Sequence, residues 1–288
     1  MSHSRQKSES LYKRALRQIL KKKFVVLCFA IIAAYLIIAL LGTFNLLPDY
    51  QERVADGYEP PSLTLAKIFG TDIFGRSVLF KILAGTKTAM TIGFLVTAIS
   101  VPVGVTLGAV SGFYGGKVDA FVVWLYTIIT SVPYILMVIA ISFVMGKGML
   151  AICIAMGSLG WVSLCRLTRG EFLKHREREY VLASRLLGAS DARIIFRHIL
   201  PNVLHLAIIS GSLMVLGAIK SEVILTYLGV GIQDGASWGQ MISDATGELV
   251  QGIWWPLSGV VLVMFFIIYA LNVAGDALRD ALDPKLLD

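Results

Sequence analysis

Long uncharged apolar blocks alternate with shorter polar segments along this chain. The blocks match the roughly 20 apolar residues that an α-helix needs to cross a bilayer. They predict an all-α membrane protein with six transmembrane helices. The predicted spans lie at 24–44, within 88–116, within 120–146, and at 149–165, 203–228 and 253–275.

Composition supports placement in a membrane. Hydrophobic residues make up 56% of the chain, charged residues only 16%, and the mean hydropathy is +0.75. Soluble domains carry about 25% charged residues. The first apolar run continues from Phe24 to Pro48, longer than the core of a signal peptide, so we expect it to be a retained anchor.

Loop charges predict the orientation. The tail before Phe24 holds eight basic residues and one acid, and the loop 166–202 holds eight basic residues and four acids. The loop 229–248 has three acids and no base, and the segment 45–87 is balanced at five of each. Because Lys and Arg accumulate on the cytoplasmic side, the tail and the loop 166–202 are expected there. Six spans then place both termini in the cytoplasm.

These boundaries predict four parts. A cytoplasmic tail (1–23) precedes the first span with its extracytoplasmic segment (24–87), a five-helix domain (88–275) with a cytoplasmic loop at 169–202, and a cytoplasmic tail (276–288). The net charge of +7 comes from clusters beside the spans, a pattern that favours contact with lipid over nucleic acid.

Small residues and cysteines inside the spans indicate packing. Gly104, Gly108 and Gly112 repeat every four residues and let two helices approach closely. Pro102, Pro133 and Pro256 are expected to kink helices or to lie at helix ends. The cysteines show no metal-ligand spacing and are expected to be buried, and no metal site or catalytic residue is predicted. They are Cys28, Cys153 and Cys165.

Two charged residues interrupt the fifth span. Lys220 and Glu222 would each cost about 2.5–3.5 kcal/mol at the bilayer centre. Two positions apart, they point to different helix faces. Either they face a translocation pathway or a partner helix, or they lie near the outer end and extend toward water.

The cytoplasmic loop has the pattern of two short helices. An apolar face is predicted before Gly188, which ends the first helix. Ser190 is a plausible N-cap for a second helix, with Asp191 in its first turn, and Pro201 is expected to end that helix. A loop this long and ordered requires a partner. The apolar face comprises Val181, Leu182, Ala183, Leu186 and Leu187.

The stretch from Glu179 to Asp191, followed by Arg197-His-Ile-Leu-Pro201-Asn, resembles the EAA loop of ABC-type importer permeases. The resemblance implies a coupling helix that docks in a groove of an ATP-binding subunit. Ser184 stands where the family often has a second alanine. The positions implied to couple are Glu179, Ala183, Ser184, Gly188 and Asp191.

Two further regions are similar to the C-type permeases of oligopeptide, dipeptide and nickel importers. One is Phe69-Gly-Thr-Asp-Ile-Phe-Gly75-Arg76, after which Ser77 and Lys87 depart from the usual pattern. The other comprises the late signatures, which are Glu222 through Tyr227-Leu-Gly-Val-Gly231, Ser237-Trp-Gly239 and Gly275-Asp-Ala-Leu-Arg279-Asp-Ala-Leu-Asp283-Pro284. The resemblance implies a peptide importer of a prokaryotic inner membrane, with nickel as the alternative.

The same resemblance implies the partners. They are a homologous second permease, two ATP-binding subunits and an extracytoplasmic substrate-binding protein. The chain lacks the phosphate-binding sequence G-x-x-x-x-G-K-[ST], so ATP and Mg²⁺ are expected on the partner subunits and no cofactor on this chain. We expect a transport subunit that works by alternating access, not an enzyme.

Two other classes are considered. An intramembrane serine protease would need Ser158 within hydrogen-bond reach of His198 or His205, but the serine is expected mid-span and the histidines at a boundary. A passive channel would need no docking loop.

Overall fold

The computed structural model describes residues 19–146, 148–233 and 235–282, which are largely helical. Two isolated β-bridges, Arg53–Arg76 and Thr71–Ser77, lie in the segment between the first two helices. The helices are α1 Lys23–Thr43, α2 Val78–Tyr114, α3 Gly116–Thr130, α4 Tyr134–Met145, α5 Met149–His175, α6 Glu179–Leu186, α7 Asp191–Tyr227, α8 Trp238–Val250 and α9 Trp255–Leu282. Residues 1–18 of the predicted tail 1–23 and residues 283–288 of the predicted tail 276–288 lie outside the described residues, whereas residues 276–282 continue α9.

Five of these helices, α1, α2, α5, α7 and α9, are long and apolar enough to cross a membrane. The predicted third span is not one helix, because α3 and α4 meet at an angle of 87°. Pro133 stands at the bend, where it lacks an N–H to continue a helical ladder. The predicted kink is confirmed, and the count of six holds if this bent pair crosses as one span.

Several helices extend further than their apolar runs. α2 begins at Val78, α5 continues past Cys165 to His175, and α7 begins at Asp191. The prediction that Pro201 ends a separate helix is wrong. A π-helical turn at Ile194–Ile199, in which the Leu200 N–H donates to the Ile195 carbonyl, widens the helix where the proline ring would clash.

The glycine stripe of α2 lies against α5. A Cβ added to Gly104, Gly108 or Gly112 would lie 2.6–2.8 Å from a backbone carbonyl oxygen of α5, too close for any side chain. The three carbonyls belong to Trp161, Cys165 and Arg169, one helical turn apart. The two backbones are therefore in direct contact along three turns.

The segment between α1 and α2 folds back as a clasp. The Asp72 Oδ1 accepts hydrogen bonds from the backbone N–H groups of Phe74 and Arg76, both at 2.9 Å. Gly70 and Gly75 take positive φ angles of 67° and 74°. The Trp255 indole donates to the Thr71 carbonyl at 3.1 Å, which fastens the clasp to the start of α9.

Candidate functional site

A short exposed helix, α6, connects the two long helices α5 and α7. It ends in a Schellman motif, in which the Gly188 N–H donates to the Arg185 carbonyl and the Ala189 N–H to the Ser184 carbonyl. Gly188 takes a φ of 78°, a conformation that a side chain disfavours, and no atom would obstruct an added Cβ. The Ser190 hydroxyl then caps α7 by accepting from the Arg193 N–H at 3.4 Å. The predicted break and cap are confirmed.

One side chain anchors α6 to the rest of the chain. Val181 is fully buried against an apolar cluster of α2, α5 and α7 that includes Phe113, Phe172 and Ile194. The Arg185 guanidinium lies over the Phe113 ring at 5.2 Å, an additional polar attachment. Within α6, all of whose residues are described, Val181 alone is buried. The helix therefore packs on the chain through one buried side chain, and its other contacts, such as the Tyr180 hydroxyl 2.8 Å from the His175 Nδ1, lie at the surface.

The predicted single apolar face of this loop is wrong. Val181 points inward, whereas Leu186 and Leu187 are 89% and 88% exposed on another side. A short helix that packs on one residue cannot bury side chains on both faces. Leu182 is also exposed, as are Glu179, Ala183, Gly188 and Asp191, while Ser184 is half-buried.

An ion pair lies at the same end of the molecule as α6. The Arg169 guanidinium of α5 donates to both carboxylate oxygens of Asp119 on α3, with 2.6 Å from Nη2 to Oδ2. The Ser111 hydroxyl of α2 donates to the same carboxylate. The pair thus joins three helices behind α6. Our sequence reasoning missed it, although Asp119 is a lone acid in an apolar run.

A cavity of about 470 Å³ lies beside the bend between α3 and α4. The Arg166 guanidinium reaches it, donates to the Thr130 hydroxyl at 3.1 Å and lies over the Tyr126 ring at 4.6 Å. Its wall is mostly apolar with a few hydroxyls, a lining typical of small-molecule sites. Lining residues include Ser100, Pro133, Tyr134, Ser163 and Ser221.

Lys220 and Glu222 occupy different surroundings. Lys220 is exposed, whereas Glu222 is fully buried inside the chain. The Glu222 Oε1 accepts from the Thr226 hydroxyl at 2.9 Å and from the Ser237 hydroxyl at 2.7 Å. Both hydroxyls also accept a backbone N–H, from Ile232 and Gly239. Glu222 therefore ties the end of α7 to the start of α8, a contact that sequence reasoning did not include.

The residues considered for a protease do not meet. The Ser158 hydroxyl donates to the Ala155 carbonyl of its own helix at 2.9 Å, and the His205 ring contacts the Asn202 carbonyl. Among the described residues, no hydrogen bond joins Ser158 to His198 or His205. These three residues therefore do not form a nucleophile and base.

Comparison with known proteins gives consistent matches. Residues 104–288 match the family model described as "Binding-protein-dependent transport system inner membrane component". The chain is 36% identical over 285 residues to the oligopeptide transport system permease protein OppC of Bacillus subtilis, covering 97% of this chain and 92% of that one. It is 36% identical over 275 residues to the dipeptide transport system permease protein DppC of the same organism, covering 94% and 85%.

A solved structure shows the fold alone. The structure of the MetNI methionine ABC transporter, described as inward facing, matches with a TM-score of 0.57 at 16% identity. The match covers 70% of this chain and 97% of that one.

Proposed function

Because the chain belongs to the family of inner membrane components of binding-protein-dependent transport systems, we propose that it is the permease subunit of an ATP-driven importer of small peptides. The family and the apolar helices make it a multi-pass protein of the inner membrane and a transport subunit. The observation that carries the proposal is α6, a helix anchored at one buried residue and otherwise exposed.

The proposed role of α6 is to couple transport to ATP hydrolysis. Leu186 and Leu187 offer apolar anchors of the kind that a protein groove buries, and Arg178, Arg185 and Arg193 are basic residues in the same stretch of the chain. The proposed coupling positions on α6 and in the connection to α7 are Glu179, Ala183, Ser184, Gly188 and Asp191. ATP and Mg²⁺ would bind to the partner subunits.

The proposed mechanism is alternating access. Two ATP-binding subunits that close on ATP would move α6, and the long helices α5 and α7 on either side would carry that movement into the membrane. The ion pair between Asp119 and Arg169 would keep α2, α3 and α5 together as one body. A homologous second permease would complete the path, and an extracytoplasmic binding protein would deliver the substrate.

Peptide is preferred over nickel as the substrate. The relatives named above are oligopeptide and dipeptide permease proteins. A third, the OppC permease of Escherichia coli, is 32% identical over 266 residues, covering 89% of this chain and 87% of that one.

A pull-down of the tagged chain from mild detergent, followed by mass spectrometry, tests the assembly. We expect a second multi-span permease and one or two ATP-binding proteins. Recovery of the chain alone as a stable homo-oligomer would instead support a channel.

Coupling is tested by Gly188→Val in the assembled transporter. A β-branched residue at a positive φ distorts the end of α6, so ATP hydrolysis should continue while peptide uptake falls about tenfold or more. Gly146→Val is the matched control, because Gly146 also has a positive φ (94°) and free space, but it ends α4, near the start of α5 and far from α6. Equal uptake by the two variants would reject the assignment of α6.

A further inference from the structure

A second cavity opens at the end of the molecule opposite α6. Lys81, in the first turn of α2, lines this cavity, whereas Phe113 near the other end of α2 packs against α6. The two residues are about 50 Å apart along the helix at 1.5 Å per residue. The cavity has a volume of about 590 Å³, within the roughly 300–1,000 Å³ range of small-ligand sites.

Carboxylates from two elements surround this cavity. Asp72 comes from the clasp between α1 and α2, while Asp244 and Glu248 are one turn apart on α8. Lys81 lies between Asp72 and Asp244, with Nζ–Oδ2 distances of 3.9 and 3.5 Å. The remaining oxygen of Asp72 accepts two backbone N–H groups. Lys81 thus forms salt bridges with two of the three carboxylates.

The third carboxylate has no direct partner. Glu248 is 8% exposed, yet its carboxylate makes no hydrogen bond or salt bridge with any residue that the structure describes, and Lys81 acts on it only at longer range. The Gln240 Oε1, on the same helix and lining the same cavity, is also buried without a donor among those residues. Buried acceptors are normally satisfied, so the buried Gln240 Oε1, beside a carboxylate that opens on the same cavity, indicates a missing donor.

The charge balance specifies that donor further. Among the described residues that line the cavity, Asp72, Asp244 and Glu248 carry three negative charges, against the two positive charges of Lys81 and Arg76. The Arg76 guanidinium lies over the Phe74 ring at 4.8 Å. One monovalent cation would balance the charges of these five side chains. Among the described residues, no three carboxylate, histidine or cysteine side chains converge as metal ligands do.

We propose that this cavity binds a primary ammonium group of a peptide entering the membrane path. An ammonium has three donors and no acceptor, which matches unpaired acceptors and a surplus negative charge. The group is either the free amino terminus or a lysine side chain of the peptide. This inference rests on the proposed function and adds a binding site at the end of the molecule opposite the coupling helix.

The titration of Glu248 is consistent with this site. Burial raises the pKa of the Glu248 carboxyl, and the Asp244 and Asp72 carboxylates raise it further while Lys81 opposes them. The Tyr58 hydroxyl also faces this group. Protonation of Glu248 removes the anion that an ammonium needs. Binding of the ammonium should therefore weaken on acidification at pH values above the usual pKa range of glutamate.

The first test measures binding to the full-length chain in detergent, purified with its copurifying subunits but without the extracytoplasmic binding protein. Titration calorimetry at pH 8 compares Ala-Ala, N-acetyl-Ala-Ala and N-acetyl-lysinamide. Blocking the amino terminus should weaken binding at least about tenfold, because it removes a charge-assisted contact. Tight binding of N-acetyl-lysinamide would assign the site to lysine side chains. Tight binding of Ala-Ala alone would assign it to the amino terminus. The proposal is overturned if neither Ala-Ala nor N-acetyl-lysinamide binds more tightly than N-acetyl-Ala-Ala, or if no probe binds.

The second test uses substitutions that keep shape and remove charge. Glu248→Gln should weaken the preferred ammonium probe at least about tenfold and leave N-acetyl-Ala-Ala unchanged. Glu52→Gln is the matched control, since Glu52 is exposed on the segment between α1 and α2 and does not line the cavity. Asp244→Asn, at a half-exposed position, should weaken binding of the same probe by a smaller factor. Equal affinities in Glu248→Gln and Glu52→Gln would overturn the assignment.

The failure of this site and that of the proposed function are distinguishable. The complete transporter could retain ATP-driven peptide uptake while every probe binds equally to Glu248→Gln and to wild type. That result would support the importer proposal and reject the ammonium site. Loss of copurifying ATP-binding subunits would instead contradict the importer proposal.

Discussion

Two short helices, α6 and α8, follow long helices of the bundle, and they differ in how much of each is buried. α6 buries Val181 alone, whereas α8 buries five residues, among them the whole of Trp238. The start of α8 is also fastened by hydrogen bonds through Glu222, while the exposed leucines of α6 touch nothing comparable. A helix completed by its own chain stabilises the fold, and a helix left incomplete is available to a partner.

The largest effect is expected from Trp238→Ala. The indole is fully buried and its Nε1 donates to the Ile82 carbonyl at 3.1 Å. Its loss leaves a cavity and should cost about 3–5 kcal/mol of unfolding free energy. The temperature at which the detergent-purified chain loses its monodisperse size-exclusion peak reports this change. Trp254→Ala, at a residue 57% exposed, is the control, and equal losses would contradict the picture of α8 as core.

A smaller loss is expected from Glu222→Ala. This change leaves the hydroxyls of Thr226 and Ser237 without their shared acceptor and should cost about 1–3 kcal/mol. Glu222→Gln retains an acceptor at Oε1 and should cost less. The same thermal assay compares them. A glutamine variant as unstable as the alanine variant would show that the carboxylate charge, and not the hydrogen bonds, holds α8.

Glu248→Gln should stabilise the chain in a pH-dependent way. Because burial raises the pKa of this carboxyl above its usual value of about 4.5, the folded state binds its proton more tightly than the unfolded state. Stability therefore falls as pH rises through the window between the two pKa values. The variant should be more stable at pH 8, by about 1 kcal/mol, and equal to wild type below about pH 4. The same difference in thermal midpoint at both values would contradict this.

The smallest effect on stability is expected from Leu186→Ser combined with Leu187→Ser. Both side chains are exposed, so the isolated chain should change by less than about 0.5 kcal/mol in the thermal assay. Capture of ATP-binding subunits by the tagged chain should nevertheless fall. Leu63→Ser, at a fully exposed leucine of the opposite end, controls for loss of surface hydrophobicity. A large drop in stability would mean that α6 belongs to the core.

Local signals in the sequence predicted much of the coupling loop. The break at Gly188 and the cap at Ser190 depend on backbone conformation and on a side chain three residues from its donor, so a short stretch of sequence specifies them. The split between buried Val181 and exposed Leu186 could not be predicted in this way. The split depends on which neighbouring helices contact α6. An apolar residue gives the same sequence pattern whether a partner or the chain itself buries it.

Contacts between helices were less predictable. Glu222 and Thr226 are one turn apart on α7, but Ser237 reaches the same carboxylate only because α8 folds back. The ion pair of Asp119 and Arg169 joins residues 50 positions apart. Such pairs depend on helix packing, which an apolar pattern does not encode.

The sequence by itself determined that this chain enters a membrane, because uninterrupted apolar runs can satisfy their backbone groups there only as helices. It also determined the glycine stripe of α2 and the break that ends α6, which follow from residue type at fixed local spacing. Tertiary structure alone decided the 87° angle between α3 and α4, the two cavities and the isolation of Glu248. These depend on distances between residues far apart in the chain, which are set when the helices pack.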